Sequence, residues 1–173
     1  MDFDIPADIA AFLEEVDAFI DAKIKPLEQT DDNIRFFDHR REDARTDWDR
    51  GGLPNEEWEQ LLHKAKQLSI EAGIYSYPFP EEHGGRNGTN LGMAIIREYM
   101  AAKGLGLHND LQNEHSIVGN NIGLMLMLHY GTPEQQDFWL EDMKNARKGF
   151  AFGITEPAHG SDATHVETTA VRE

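Results

Sequence analysis

Residues 150–162, Phe150-Ala151-Phe152-Gly153-Ile154-Thr155-Glu156-Pro157-Ala158-His159-Gly160-Ser161-Asp162, gather the most useful chemistry in the sequence. Phe150, Phe152 and Ile154 alternate with Ala151, Gly153 and Thr155, which is the period of a strand with one small-residue face. Gly153 keeps that face flat enough for a planar ring to lie close. Thr155 sets a hydroxyl at the strand end, within reach of a ring heteroatom. Pro157 and Gly160 stop the strand; Gly160 lets backbone amides turn inward, and Ser161 adds a compact donor, a pair suited to a pyrophosphate. An ordinary strand and tight turn satisfies the same pattern.

Other groupings carry less. The chain has eight histidines but no H-E-x-x-H. His108 and His115, seven residues apart among Asn109, Asp110 and Glu114, lack the spacing of a metal site, and none is expected. Gly84, Gly85, Gly88 and Gly92 do not follow a strand, which excludes a dinucleotide fingerprint. With no cysteine, disulfide scaffolds, thiolate metal sites and cysteine nucleophiles are excluded.

The elements that must position these residues read as mainly α. Ile5, Ile9, Phe12, Leu13, Val16, Phe19, Ile20, Ile24 and Leu27 form an amphipathic stripe, with Glu14, Glu15, Asp17 and Asp21 on the wet side. Residues 29–55 read as a long connection with a helical turn near 34–41. A second helix starts at Asn55 or Glu56, carries Trp58, Leu61, Leu62, Ala65 and Leu68, and ends at Gly73. A proline- and glycine-rich loop, residues 75–85, leads to a helix from Asn90 to Lys103 with Leu91, Ala94, Ile95, Tyr99 and Met100 inward. Residues 114–130 leave little polar face and predict a central buried helix. On it, Gly119 and Gly123 admit close helix packing, another backbone or a ligand. Thr132-Pro133-Glu134-Gln135 is a capping box with proline at the first helical position, opening a helix that ends near 145–148. The division expected is a helical domain over 1–148 and the start of a β domain over 149–173, since two short strands make no independent sheet.

The balance of 16 Lys+Arg against 32 Asp+Glu, net −16, argues against nucleic acid and against an anionic membrane surface. No apolar run approaches the roughly 20 residues that span a bilayer. Met1-Asp2-Phe3-Asp4 is acidic where a secretory or transit signal would be basic, so a cytoplasmic protein is expected.

The segment Phe150 to Pro157 with Gly160-Ser161-Asp162 resembles the flavin-binding signature of the acyl-CoA dehydrogenases. Pro80-Glu81-Glu82-His83-Gly84-Gly85 resembles the loop between that family's early helices, and Tyr130-Gly131-Thr132-Pro133-Glu134-Gln135-Gln136 the turn before its last N-terminal helix. The resemblance implies an N-terminal helical domain, a central β domain and a C-terminal four-helix domain, the last absent from these residues. It implies FAD, with Phe152, Ile154 and Thr155 at the flavin ring and Gly160 and Ser161 near the pyrophosphate. Ser161 would also face the acyl-CoA, and Glu114, Val118 and Ile122 fall where the family lines its acyl pocket. The implied reaction is α,β-desaturation of an acyl thioester, with hydride passing to the flavin. Its base is a glutamate beyond Glu173, so the 173 residues alone are expected to be inactive. An electron-transfer flavoprotein as acceptor and a homotetramer or homodimer are implied as partners. His159-Gly160-Ser161 is similar to the acyl-CoA oxidases, which keeps an oxidase or a nitroalkane-oxidase-like flavoprotein open as alternatives. A non-catalytic helical binding module is a third. His159 itself is expected to be an exposed turn residue. Arg86, Lys144, Arg147 and Lys148 are the cations available for two anionic ligands.

Overall fold

A computed structural model describes residues 4–109, 116–119, 122–151 and 153–171. The N-terminal stripe becomes α1 (Ala7–Phe19), which buries Ile9, Phe12, Leu13, Val16 and Phe19. The chain then widens into a π-helical turn, Ile20–Ile24, and closes with α2 (Lys25–Gln29). The wide turn lies just before Pro26, which has no N–H to continue the regular ladder. Ile20, Ile24 and Leu27 stay buried through the change of pitch, whereas Ile5, ahead of the helix, is exposed.

Residues 30–54 hold more structure than the sequence predicts. Two 3-10 segments, Thr30–Phe37 and His39–Arg45, lead into a ribbon of β1 (Thr46–Asp47) and β2 (Leu53–Pro54). Its strands are antiparallel, with Thr46 opposite Pro54 and Asp47 opposite Leu53. Aromatic packing organises this stretch: the Trp58 ring lies 5.1 Å from Phe36 and 5.7 Å from Phe37, and the Arg45 guanidinium sits 4.5 Å over it.

Trp58 belongs to α3 (Glu56–Glu71), capped by Asn55, whose side chain accepts from Glu57 N–H. The helix buries Trp58, Leu61, Leu62, Ala65 and Ser69. It ends at Gly73, whose φ of 69° suits glycine. Ser69, fully buried, donates to the Ile117 carbonyl and pins the 116–119 segment to the core.

α4 (Asn90–Ala102) starts at Thr89, whose hydroxyl accepts from Gly92 N–H at 3.0 Å. Its buried residues are Gly92, Ile96 and Met100, rotated by about one residue from the expected face. Ile95 and Tyr99 are half-buried, and Leu91 and Ala94 face outward. The reason is Gly92, against which the Tyr77 hydroxyl packs, fixing that face inward.

The apolar run near 114–130 is the clearest departure from expectation. Of it, α5 (Ile122–Tyr130) is helical, and its buried residues are Gly123 and Leu124. Ile117 and Val118 are buried, but in irregular chain ahead of the helix. α5 is a surface helix with two apolar uses. Leu124, Met127 and Leu128 join a second small core with Tyr75, Phe79 and Met143. Ile122, Met125, Leu126 and Tyr130 face outward. α6 (Pro133–Lys144) opens with the expected capping box: Thr132 N–H donates to Gln135 Oε1 at 2.9 Å and Gln135 N–H to Thr132 Oγ1 at 3.3 Å.

The fold is thus mainly helical, with most of α1–α4 around one large core. The predicted strand at 150–155 has no ladder among the described residues, and Phe150 and Ile154 are exposed. A strand takes its stability from a neighbour that fills its N–H and C=O groups, and none among the described residues pairs with it. No helix among the described residues is long and apolar enough to cross a membrane.

Candidate functional site

The outward face of α5 is one wall of an open groove of about 690 Å³, within the size range of small-molecule sites. Ile122, Met125, Leu126, His129 and Tyr130 form that wall; Asn90, Met93, Ala94 and Arg97 of α4 form the other, with Pro78, Gly88 and Gly119 at the base. The walls are tied together through the backbone between them. Arg97 Nη2 donates to the Val118 carbonyl at 3.2 Å, and Gly119 N–H to the Tyr75 carbonyl at 3.0 Å. Burial pushes the Tyr75 hydroxyl pKa up, and the nearby Arg97 charge pulls it part of the way back. No carboxylate lines the groove among the described residues. The arrangement offers apolar length, a guanidinium and an imidazole.

The predicted pocket residues divide. Ile122 lines the groove and is half exposed. Val118 is fully buried behind it, so its side chain serves the core and its carbonyl holds Arg97. Glu114 lies outside the described residues. Sequence reasoning missed Met93, Arg97, Met125 and Tyr130. The available signal was the phase of α5: Ile122, Met125, Leu126 and His129 recur at helical spacing on one side, too apolar for a solvated face.

The segment 150–162 begins with a residue packed against the same helix. A Cβ at Gly123 would stand 2.5 Å from Phe150 Cγ, so the missing side chain at Gly123 is the seat of the Phe150 ring. Ring packing is therefore the use of this glycine, rather than a second helix. Phe152 lies outside the described residues. Ile154, Thr155, Gly160 and Ser161 are exposed, and a Cβ at Gly153 or Gly160 would meet nothing within 4 Å. No hydrogen bond among the described residues occupies the Thr155 or Ser161 hydroxyl. Gly153 and Gly160 thus leave an open backbone face beside these two hydroxyls.

A turn within this segment follows the predicted strand. Glu156 and His159 exchange backbone hydrogen bonds at 3.0 and 3.1 Å. The Glu156 carboxylate accepts from the Thr168 hydroxyl, from Thr168 N–H at 2.7 Å and from Glu167 N–H at 2.9 Å. These donors, led by the Thr168 hydroxyl, hold Glu156 below the usual carboxylate range. His159 departs from its expected exposure. Its ring stacks on His165 at 4.4 Å and 17°, because Glu156 draws the following chain back over it.

The cations proposed for anionic ligands are already engaged. Arg86 grips Glu15 of α1 at 2.6 and 3.1 Å, with its guanidinium 4.8 Å over the Phe12 ring. Lys148 and Arg147 each lie 2.8 Å from Asp142, and Lys144 lies 3.8 Å from Glu141.

Residues 33–147 match the family described as acyl-CoA dehydrogenase, N-terminal domain. The chain is 35% identical over 103 residues to a 3-(aryl)acrylate reductase of Clostridium sporogenes, covering 58% of this chain and 26% of that protein. To the acyl-CoA dehydrogenase FadE12 of Mycobacterium tuberculosis it is 31% identical over 124 residues, covering 66% and 30%. To the long-chain specific mitochondrial acyl-CoA dehydrogenase of Rattus norvegicus it is 30% identical over 141 residues, covering 76% and 30%. The chain therefore spans less than a third of the length of these relatives.

Proposed function

Because the chain belongs to the acyl-CoA dehydrogenase family, we propose that it forms the N-terminal part of an FAD-dependent enzyme that desaturates acyl-CoA thioesters between the α and β carbons. On this reading residues 1–148 are a helical domain and 149–173 begin a β domain. The observation that carries it is the placement of both candidate surfaces on α5: its outward face walls the groove, and its Gly123 seats the residue that opens the flavin-like segment.

The groove receives the acyl chain. Met93, Met125 and Leu126 supply adaptable apolar contact and keep water from it. Thr155 and Ser161 hold the cofactor through their hydroxyls, and the open faces of Gly153 and Gly160 let its flat and charged parts approach. When bound, FAD supplies the hydride acceptor. Removing the α proton calls for a positioned carboxylate. None lines the groove among the described residues; the resemblance to the family assigns that role to a glutamate beyond Glu173, and on this reading the 173 residues alone are inactive.

The test is the visible absorption spectrum of the gene's full-length product, before and after anaerobic addition of a panel of acyl-CoAs. Flavin bands that bleach with a thioester are expected. A product that takes up no flavin after incubation with FAD overturns the cofactor reading; bands that ignore every thioester overturn the substrate reading. Turnover of any acyl-CoA by the purified 173-residue chain overturns the assignment of the base elsewhere. For the groove, Ala94→Trp is expected to weaken acyl-CoA binding at least tenfold and leave FAD uptake unchanged; equal affinity would remove the groove from the reading.

A further inference from the structure

Beyond that reading, and independent of it, the chain holds three metal-ligating side chains together in its terminal segment. His159, His165 and Glu167 each offer one donor atom, and the three donors lie within 4.8 Å of one another. Two features separate them from an ordinary surface cluster. His159 Nε2 is shielded from solvent yet has no hydrogen-bond partner among the described residues, an expensive state for a ring nitrogen. Glu167 Oε2 stands 3.5 Å from it, too far for a good hydrogen bond. That gap has a different meaning for a metal. Two donors each about 2.1 Å from one tetrahedral ion stand about 3.4 Å apart. The pair is thus already at the bite of a shared ion.

The backbone also prepares the cluster. The reciprocal Glu156–His159 bonds fix the turn that presents His159. The Glu156 carboxylate, by accepting from Glu167 and Thr168 amides, fixes the strand of chain that presents Glu167. His165 is held against His159 by ring stacking, so a modest rotation brings its nitrogen to the same point. We propose that His159, His165 and Glu167 form a three-ligand site for a divalent transition-metal ion such as Zn²⁺ or Co²⁺. Two imidazoles and one carboxylate suit these ions over Mg²⁺ or Ca²⁺, which prefer oxygen donors, and the exposed setting leaves a fourth position to water. The ion ties the two limbs of the turn beside Gly160 and Ser161, and the spacing H-x5-H-x-E is its sequence signature.

The test titrates Co²⁺, then Zn²⁺, into the chelator-treated 173-residue chain, following ligand-field absorption and heat. One equivalent with the intense bands of a low-coordinate Co²⁺ site is expected, displaced by Zn²⁺. His159→Asn and His165→Asn should each weaken binding at least about tenfold, Glu167→Gln somewhat less, and His83→Asn not at all. In a proton–nitrogen NMR spectrum, the His159 and His165 rings should respond before the other imidazoles. No binding at millimolar metal, or binding that both histidine variants leave unchanged, overturns the site. All four positions are on or near the surface, so circular dichroism is expected to show each variant folded.

Discussion

Two adjacent glycines in the Pro80–Gly85 loop should respond to alanine in opposite order to their backbone angles. Gly84 has φ of 82°, where an L side chain is strained, but a Cβ there meets nothing within 4 Å. Gly84→Ala therefore carries only the left-handed penalty, about 1 kcal/mol. Gly85 has no such angle, yet its Cβ would overlap the Phe79 carbonyl carbon and oxygen. That peptide cannot retreat. Phe79 is 1% exposed, prolines flank it on both sides, and its carbonyl already accepts from Asn87 N–H at 2.8 Å. The overlap falls at the upper end of overpacking costs, about 3 kcal/mol. With a urea slope of about 2 kcal/mol/M, the midpoint falls by about 1.5 M for Gly85→Ala and about 0.5 M for Gly84→Ala. Equilibrium unfolding in urea, followed by circular dichroism and tryptophan fluorescence, measures both. A Gly84→Ala loss equal to or larger than that of Gly85→Ala would refute the reasoning, because it would mean the Phe79 peptide yields.

Three further outcomes are expected. Burial holds the His108 imidazole below its usual pKa, so the folded state favours the neutral ring; stability should fall as pH drops below about 6.5, where the unfolded chain takes up the proton. Urea midpoints between pH 5 and 7 should slope less in His108→Asn than in the parent, and equal slopes would count against it. Burial raises the Asp17 pKa, but the Lys103 ammonium and Tyr99 hydroxyl reverse this and leave it lowered; its contribution is present above about pH 4 and lost as pH falls further, so Asp17→Asn should flatten the acid limb and cost at most about 1 kcal/mol at pH 7. Ser69→Ala leaves the Ile117 carbonyl without its buried donor and should cost about 2 kcal/mol, read as a lower thermal midpoint and faster hydrogen exchange at 116–119.

The sequence by itself determined what local chemistry determines. The α1 stripe, the Asn55 and Thr132 caps, the Gly73 stop and the turn at Pro157–Gly160 each depend on neighbours within a few residues, so types and spacing specify them. The family was legible for the same reason, in short motifs kept whole. Tertiary structure alone decided how apolar faces were shared out. The phase of Ile122, Met125, Leu126 and His129 marks one apolar side of α5, but whether that side is covered is decided elsewhere: Phe79 and Met143 cover the opposite side, and the open groove lies on this one. The phase of α4 was likewise set at a distance, by the Tyr77 hydroxyl against Gly92. Arg97 entered the groove wall because the Val118 carbonyl, 21 residues away, needed a donor. The His159–His165 pairing arose because the Glu156 carboxylate collects amides 11 and 12 residues further on. Such partners are chosen in space after the chain has folded, where residue spacing along the sequence carries no information about them.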